Sequence, residues 1–92
     1  MPKSAYQVLG DRTYSYGTCI RQTLRGAAGF VISNVTFYSP TTTLHQRKAN
    51  CWRAEILLQN VPRGTTDLIP FAIKHGVLEP ARIMDIIAKY AP

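Results

Sequence analysis

"RTYSYGTCIRQTLRGAAGFVISNVTFYSP", residues 12–40, decides the fold. Its first run, 12–22, is rich in β-forming residues. In an extended chain Tyr14, Tyr16, Thr18 and Ile20 share one face, and Thr13, Ser15, Gly17, Cys19 and Arg21 the other. Gly17, in the middle, predicts a bulge or a close backbone approach. "LRGAAG", 24–29, reads as the connection of a hairpin. The run 30–39 is the returning strand. Val31, Val35 and Phe37 share a face with Ser33; Phe30, Ile32, Thr36 and Tyr38 share the other with Asn34. Apolar side chains on both faces predict an interior strand. Pro40 has no amide to give a ladder, so the sheet stops there.

Toward the N-terminus, "AYQVL" (5–9) predicts a short strand closed by the turn residues Gly10-Asp11. Beyond Pro40, the Thr41 or Thr42 hydroxyl is the expected N-cap of a helix. The reading favoured for 43–59 is helix throughout, since most of its residues are good helix formers. A short helix followed by a strand is the rival, because Trp52, Ala54, Ile56 and Leu58 also alternate. "NVPRGT" (60–65) is a loop. Thr66 or Asp67 caps a helix over 67–75 that Gly76 terminates, with His75 at its C-terminal end, where a cation offsets the dipole. A last helix spans 79–90 with Pro80 near its start and an apolar stripe of Ile83, Ile86, Ile87 and Tyr90. The expectation is one α+β domain, 1–92: a small antiparallel sheet around the central hairpin 12–22/30–39, packed against two or three helices.

An apolar share of 46% with a charged share of 17% excludes a disordered chain. No apolar run approaches the twenty or so residues of a membrane span, so no membrane partner is expected. "MPKSAYQVLG" lacks the apolar core of a signal peptide, which predicts a cytoplasmic protein. Cys19 and Cys51 have no metal-type spacing and are expected as free buried thiols, a single disulfide being the alternative. The net charge of +6 is unevenly spread: residues 1–63 hold all of the excess, and 64–92 are balanced. Such asymmetry points to a polyanionic partner.

His45, near several threonines and tyrosines, is the one candidate for acid–base chemistry, with Tyr16 or Tyr38 as its partner. An enzyme built on it is the least favoured reading, because no paired carboxylate or second histidine supports it. "GAAG" lacks the lysine and the strand–loop–helix setting of a phosphate loop, and no cofactor or metal is expected. The stronger signal is basic and aromatic. Arg21, Arg25, Arg47, Lys48 and Arg53 are interleaved with Tyr14, Tyr16, Phe37 and Tyr38, and Thr42 and His45 stand at a helix start that suits a phosphate oxygen. These residues predict a non-enzymatic contact surface for DNA or RNA. A host protein with an acidic surface is the alternative partner. The stripe of the last helix packs on the sheet or forms a homodimer face.

"SYGTCI … NVTFYSPTTTLHQRKA" (15–49) resembles a motif of small phage and mobile-element proteins. In these a Ser-Tyr-x-Thr-x-Ile strand leads through a hairpin to Tyr-Ser-x-Thr-Thr-x-x-His. The matching positions are Ser15, Tyr16, Thr18 and Ile20, then Tyr38, Ser39, Thr41, Thr42 and His45, and they cover about a third of the chain. The resemblance implies a viral or mobile-element accessory protein and brings no activity with it.

Overall fold

A computed structural model describes residues 5–90. The expectations that involve Lys3 and the first four residues lie outside them. Five strands run in sequence order across one sheet: β1 (Tyr6–Leu9), β2 (Arg12–Ser15), β3 (Thr18–Leu24), β4 (Ala27–Asn34) and β5 (Ile56–Leu58). The first four pair antiparallel; β5 joins β4 in parallel, with Ile32 opposite Ile56. The fold is α+β, as the sequence predicts, but its sheet is not wholly antiparallel.

The expected strand 12–22 is two strands. Ser15 pairs with Thr18 across a two-residue turn, in which Tyr16 has φ 50° and Gly17 φ 81°. Both left-handed angles match the twist of a tight hairpin, so Gly17 makes a reversal rather than a bulge. The bulge lies deeper, on β3, where Ile20 is the extra residue between Cys19, paired with Tyr14, and Arg21, paired with Thr13. It puts Tyr14 beside Cys19 and shifts the faces predicted from simple alternation. The expected loop 24–29 shrinks to Arg25-Gly26, with Leu24 paired to Ala27. Gly29 lies within β4 because Tyr90 packs over it: a Cβ there would meet the ring at 3.3 Å.

The segment 43–59 follows the rival reading. Helix α1 runs over Pro40–Lys48, a single 3-10 turn follows at Cys51–Arg53, and the chain returns as β5. Glu55 steers that return. Its amide donates to the Val31 carbonyl (3.0 Å) and its carboxylate accepts from the Val31 amide (2.6 Å). Helices α2 (Leu68–Lys74) and α3 (Ile83–Tyr90) complete the chain, with Asp67 capping α2 and Gly76, at φ 71°, just past its end. His75 is the C-cap residue of α2, where its amide bonds back to the Phe71 carbonyl.

Helices cover both faces of the sheet. On one face Cys19, Leu24, Phe30, Ile32, Leu58 and Leu68 form the main core, closed by α2 and α3. Ile83, Ile86, Ile87 and Tyr90 pack on that core, so the stripe read as a possible dimer face is covered by this chain's own sheet. On the other face Ile20, Val35 and Cys51 form a smaller core beneath α1 and the 3-10 turn. Cys19 and Cys51 thus lie on opposite sides of the sheet as free thiols, which overturns the disulfide alternative. Among the described residues no helix is long and apolar enough to cross a membrane.

Candidate nucleic-acid interface

Helix α1 is built inside out. Its buried side chains are Thr42 and Gln46, whereas Leu44 is 61% exposed. Polar residues face the sheet because the sheet offers them polar partners. Gln46 Nε2 donates to the carbonyls of Asn34 (2.8 Å) and Thr36 (2.9 Å), where β4 ends. Thr42 Oγ1 lies 3.0 Å from Ser15 Oγ at the end of β2, and Ser15 Oγ lies 2.7 Å from His45 Nδ1. Ser39, not Thr41 or Thr42, caps the helix: its hydroxyl accepts from the Thr42 amide (3.1 Å). Pro40 occupies the first turn, where its missing N–H costs nothing. The Thr42 and Thr43 amides both return to Ser39, so neither is open to the phosphate oxygen expected at this helix start.

His45 is held by Ser15 and lies between two tyrosines. Its ring centroid is 5.4 Å from that of Tyr6 and 5.7 Å from that of Tyr16. Lys48 Nζ sits 4.5 Å over the outer Tyr6 ring. Lys48, Tyr6, His45 and Tyr16 therefore form a continuous ladder from a cation to an exposed ring. Tyr16 is 63% exposed at the hairpin tip. The loop after β5 reaches the same place. The Gly64 amide donates to Thr18 Oγ1 (2.9 Å), and Arg63 lies over the Tyr38 ring, 5.7 Å from its centroid. Ser15, Tyr16, Thr18, Tyr38, Thr42 and Arg63 surround a cleft of about 20 Å³, room for roughly one water molecule. Seven positions of the sequence motif, namely Ser15, Tyr16, Thr18, Tyr38, Ser39, Thr42 and His45, are thus brought together.

Chemically, the Ser15–His45 pair has the spacing of a nucleophile and its base. Ser15 is only 1% exposed, however, and its oxygen is shared with Thr42. The cleft beside it holds roughly one water molecule, and the bond to Ser15 fixes the His45 ring. Tyr38 is likewise structural, since its hydroxyl donates to the Val61 carbonyl and accepts from Asn34 Nδ2.

The predicted contact residues divide. Arg47, Lys48 and Arg53 are exposed on α1 and the 3-10 turn. Arg21 is on the same side of the sheet, where its charge favours the Cys51 thiolate. Arg25 does not join them. It sits at the opposite end of β3, in the turn whose Gly26 abuts Ile87 of α3. Thr42 is buried and supports the surface from beneath. Arg12 lies elsewhere, bonded to the Thr66 carbonyl (2.9 Å) and 3.5 Å from Asp67, the only ion pair among the described residues. Of the aromatics, Phe37 (70%) and Tyr16 are exposed, whereas Tyr14 packs against the core. Trp52, 48% exposed, stands beside Arg53.

Sequence reading does not single out Ser15, Tyr6 or Arg63 as members of this site. Ser15 enters it only as the first matching position of the motif resemblance. A larger groove of about 380 Å³, lined by Phe30, Ile56, Leu78, Ile86 and Tyr90, belongs to the α3 side and contains none of the predicted residues. No family model, curated protein or solved structure matches the chain.

Proposed function

We propose that this is a small, non-enzymatic accessory protein that binds DNA or RNA through the α1 side of its sheet. The observation that carries the reading is the placing of Arg21, Arg47, Lys48 and Arg53 on that one side, with no carboxylate paired to them among the described residues. Four unneutralised cations on one surface favour phosphates by counterion release. The exposed Tyr16, Phe37 and Trp52 add apolar contact of the kind bases accept. The resemblance of residues 15–49 supports a viral or mobile-element origin and hence action in the host cytoplasm.

Titration of a labelled oligonucleotide by fluorescence anisotropy between low and moderate salt tests this. The log–log slope expected for four phosphate contacts is about −3 to −4. Charge reversal of Arg47 and Lys48 should weaken binding to every sequence alike and flatten that slope. No binding at low salt sinks the reading. Leu44, exposed between these cations, favours a second one, an acidic protein surface with an apolar centre. Leu44→Ser separates the two: it spares oligonucleotide binding and weakens a protein contact.

A further inference from the structure

We propose that the ligand of this surface is single-stranded nucleic acid, and that Tyr16 is the platform on which an unpaired base stacks. The inference rests on the nucleic-acid reading and narrows it.

Three observations on one residue carry it. Tyr16 occupies the left-handed region (φ 50°) at a two-residue turn, where Asn or Gly sits without strain and a bulky aromatic does not. Its ring is the most accessible of the chain's tyrosines among the described residues, so burial does little to offset that strain. The ring is nevertheless not loose. It rests against His45, whose Nδ1 is bonded to Ser15 and whose ring also meets Tyr6, with Lys48 over the Tyr6 ring.

A flat, pre-positioned, solvent-facing ring is what a nucleobase needs in order to stack. Lys48 lies at the far end of the ladder and Arg63 lines the cleft beside Tyr16. Arg63, in the lining of the same cleft, is therefore the cation placed to meet a phosphate beside a stacked base. A duplex keeps its bases stacked on one another and offers such a ring nothing but backbone. Stacking reads the π-face common to all bases, so little sequence preference is expected.

The test compares three labelled probes of equal length: an oligothymidylate strand, the same strand with abasic sites throughout, and a duplex. Tyr16→Asn removes the ring while suiting the turn better than tyrosine, so the variant folds. Expected for the native protein is tighter binding to oligothymidylate than to the other two. Tyr16→Asn should lose about 10- to 100-fold on oligothymidylate and stay unchanged on the abasic strand and the duplex. Tyr16→Phe should bind like the native protein. Equal binding of all three probes, or a Tyr16→Asn variant that keeps its affinity for oligothymidylate, overturns the stacking role and leaves the basic surface standing. Failure to bind any of the three overturns both.

Discussion

Ser15 Oγ at the end of β2 and His45 Nδ1 in α1 stand 2.7 Å apart, joining a hairpin to a helix thirty residues further along the chain. The same oxygen meets Thr42 Oγ1 at 3.0 Å, so one buried hydroxyl fixes two successive inward positions of α1. Ser15→Ala takes one of two hydroxyl partners from Thr42, which keeps Ser39, and the Ser15 partner from His45 Nδ1, in a place that water hardly enters. Loss of about 1–3 kcal/mol is expected, read as a lower urea midpoint with an unchanged slope. A midpoint equal to that of the native protein would show that the two partners find replacements.

The hydroxyls form a directed chain. The Thr42 amide donates to Ser39 Oγ, and the Ser39 hydroxyl donates to Thr42 Oγ1. Continued in that direction, the chain is expected to run from the Thr42 hydroxyl to Ser15 and from the Ser15 hydroxyl to His45. In its uncharged form His45 should therefore accept at Nδ1 and carry its proton on Nε2. Nitrogen-15 NMR of the histidine ring distinguishes the tautomers. A proton on Nδ1 would reverse the whole chain.

The hairpin elements were legible because their signals are local: alternation, Gly-containing turns and a proline that stops the ladder. β5 was ambiguous because Ile56–Leu58 spans three residues, too short for a period of two to be told from a helical one. α1 misled more deeply. A helical wheel puts Leu44 inward, whereas Thr42 and Gln46 are the buried residues. What turns the helix over is the hydroxyl of Ser15 and two strand-end carbonyls, and hydrophobic periodicity encodes neither. Of the site, the cations of α1 were legible from charge. The Tyr6–His45–Tyr16 ladder was not, since it joins β1, α1 and a hairpin tip whose juxtaposition only the folded sheet creates.

Gln46 makes that inversion testable. It is 1% exposed and satisfies two carbonyls with one amide nitrogen. Gln46→Met keeps the length and volume of the side chain but leaves both carbonyls without a donor. It should cost about 2 kcal/mol or more, although it makes the helix face more hydrophobic. Thermal melts of Gln46→Met and Gln46→Ala separate the effects, since the alanine variant adds only lost packing. A methionine variant as stable as the native protein would mean that hydrophobic contact, not hydrogen bonding, seats α1.

Burial pushes the Cys19 thiol up to about 12 and the Cys51 thiol up to about 11, from an ordinary 9.0. Both causes are chiefly desolvation, which disfavours the thiolate. The folded chain therefore holds these protons more tightly than the unfolded chain does. Their contribution to stability is complete below pH 9 and is lost as pH rises through 11 to 12. Each thiol steepens that loss by up to about 1.4 kcal/mol per pH unit. Lysines and tyrosines titrate over the same range, so the informative quantity is the difference from a Cys19→Ala, Cys51→Ala variant. That variant should start less stable at pH 7 and lose less between pH 9 and 11. At pH 8 a thiol reagent such as DTNB should label the native protein far more slowly than the urea-unfolded chain, which should yield two equivalents. Rapid labelling of either cysteine in the native state would place that thiol at the surface and remove the cause of its shift.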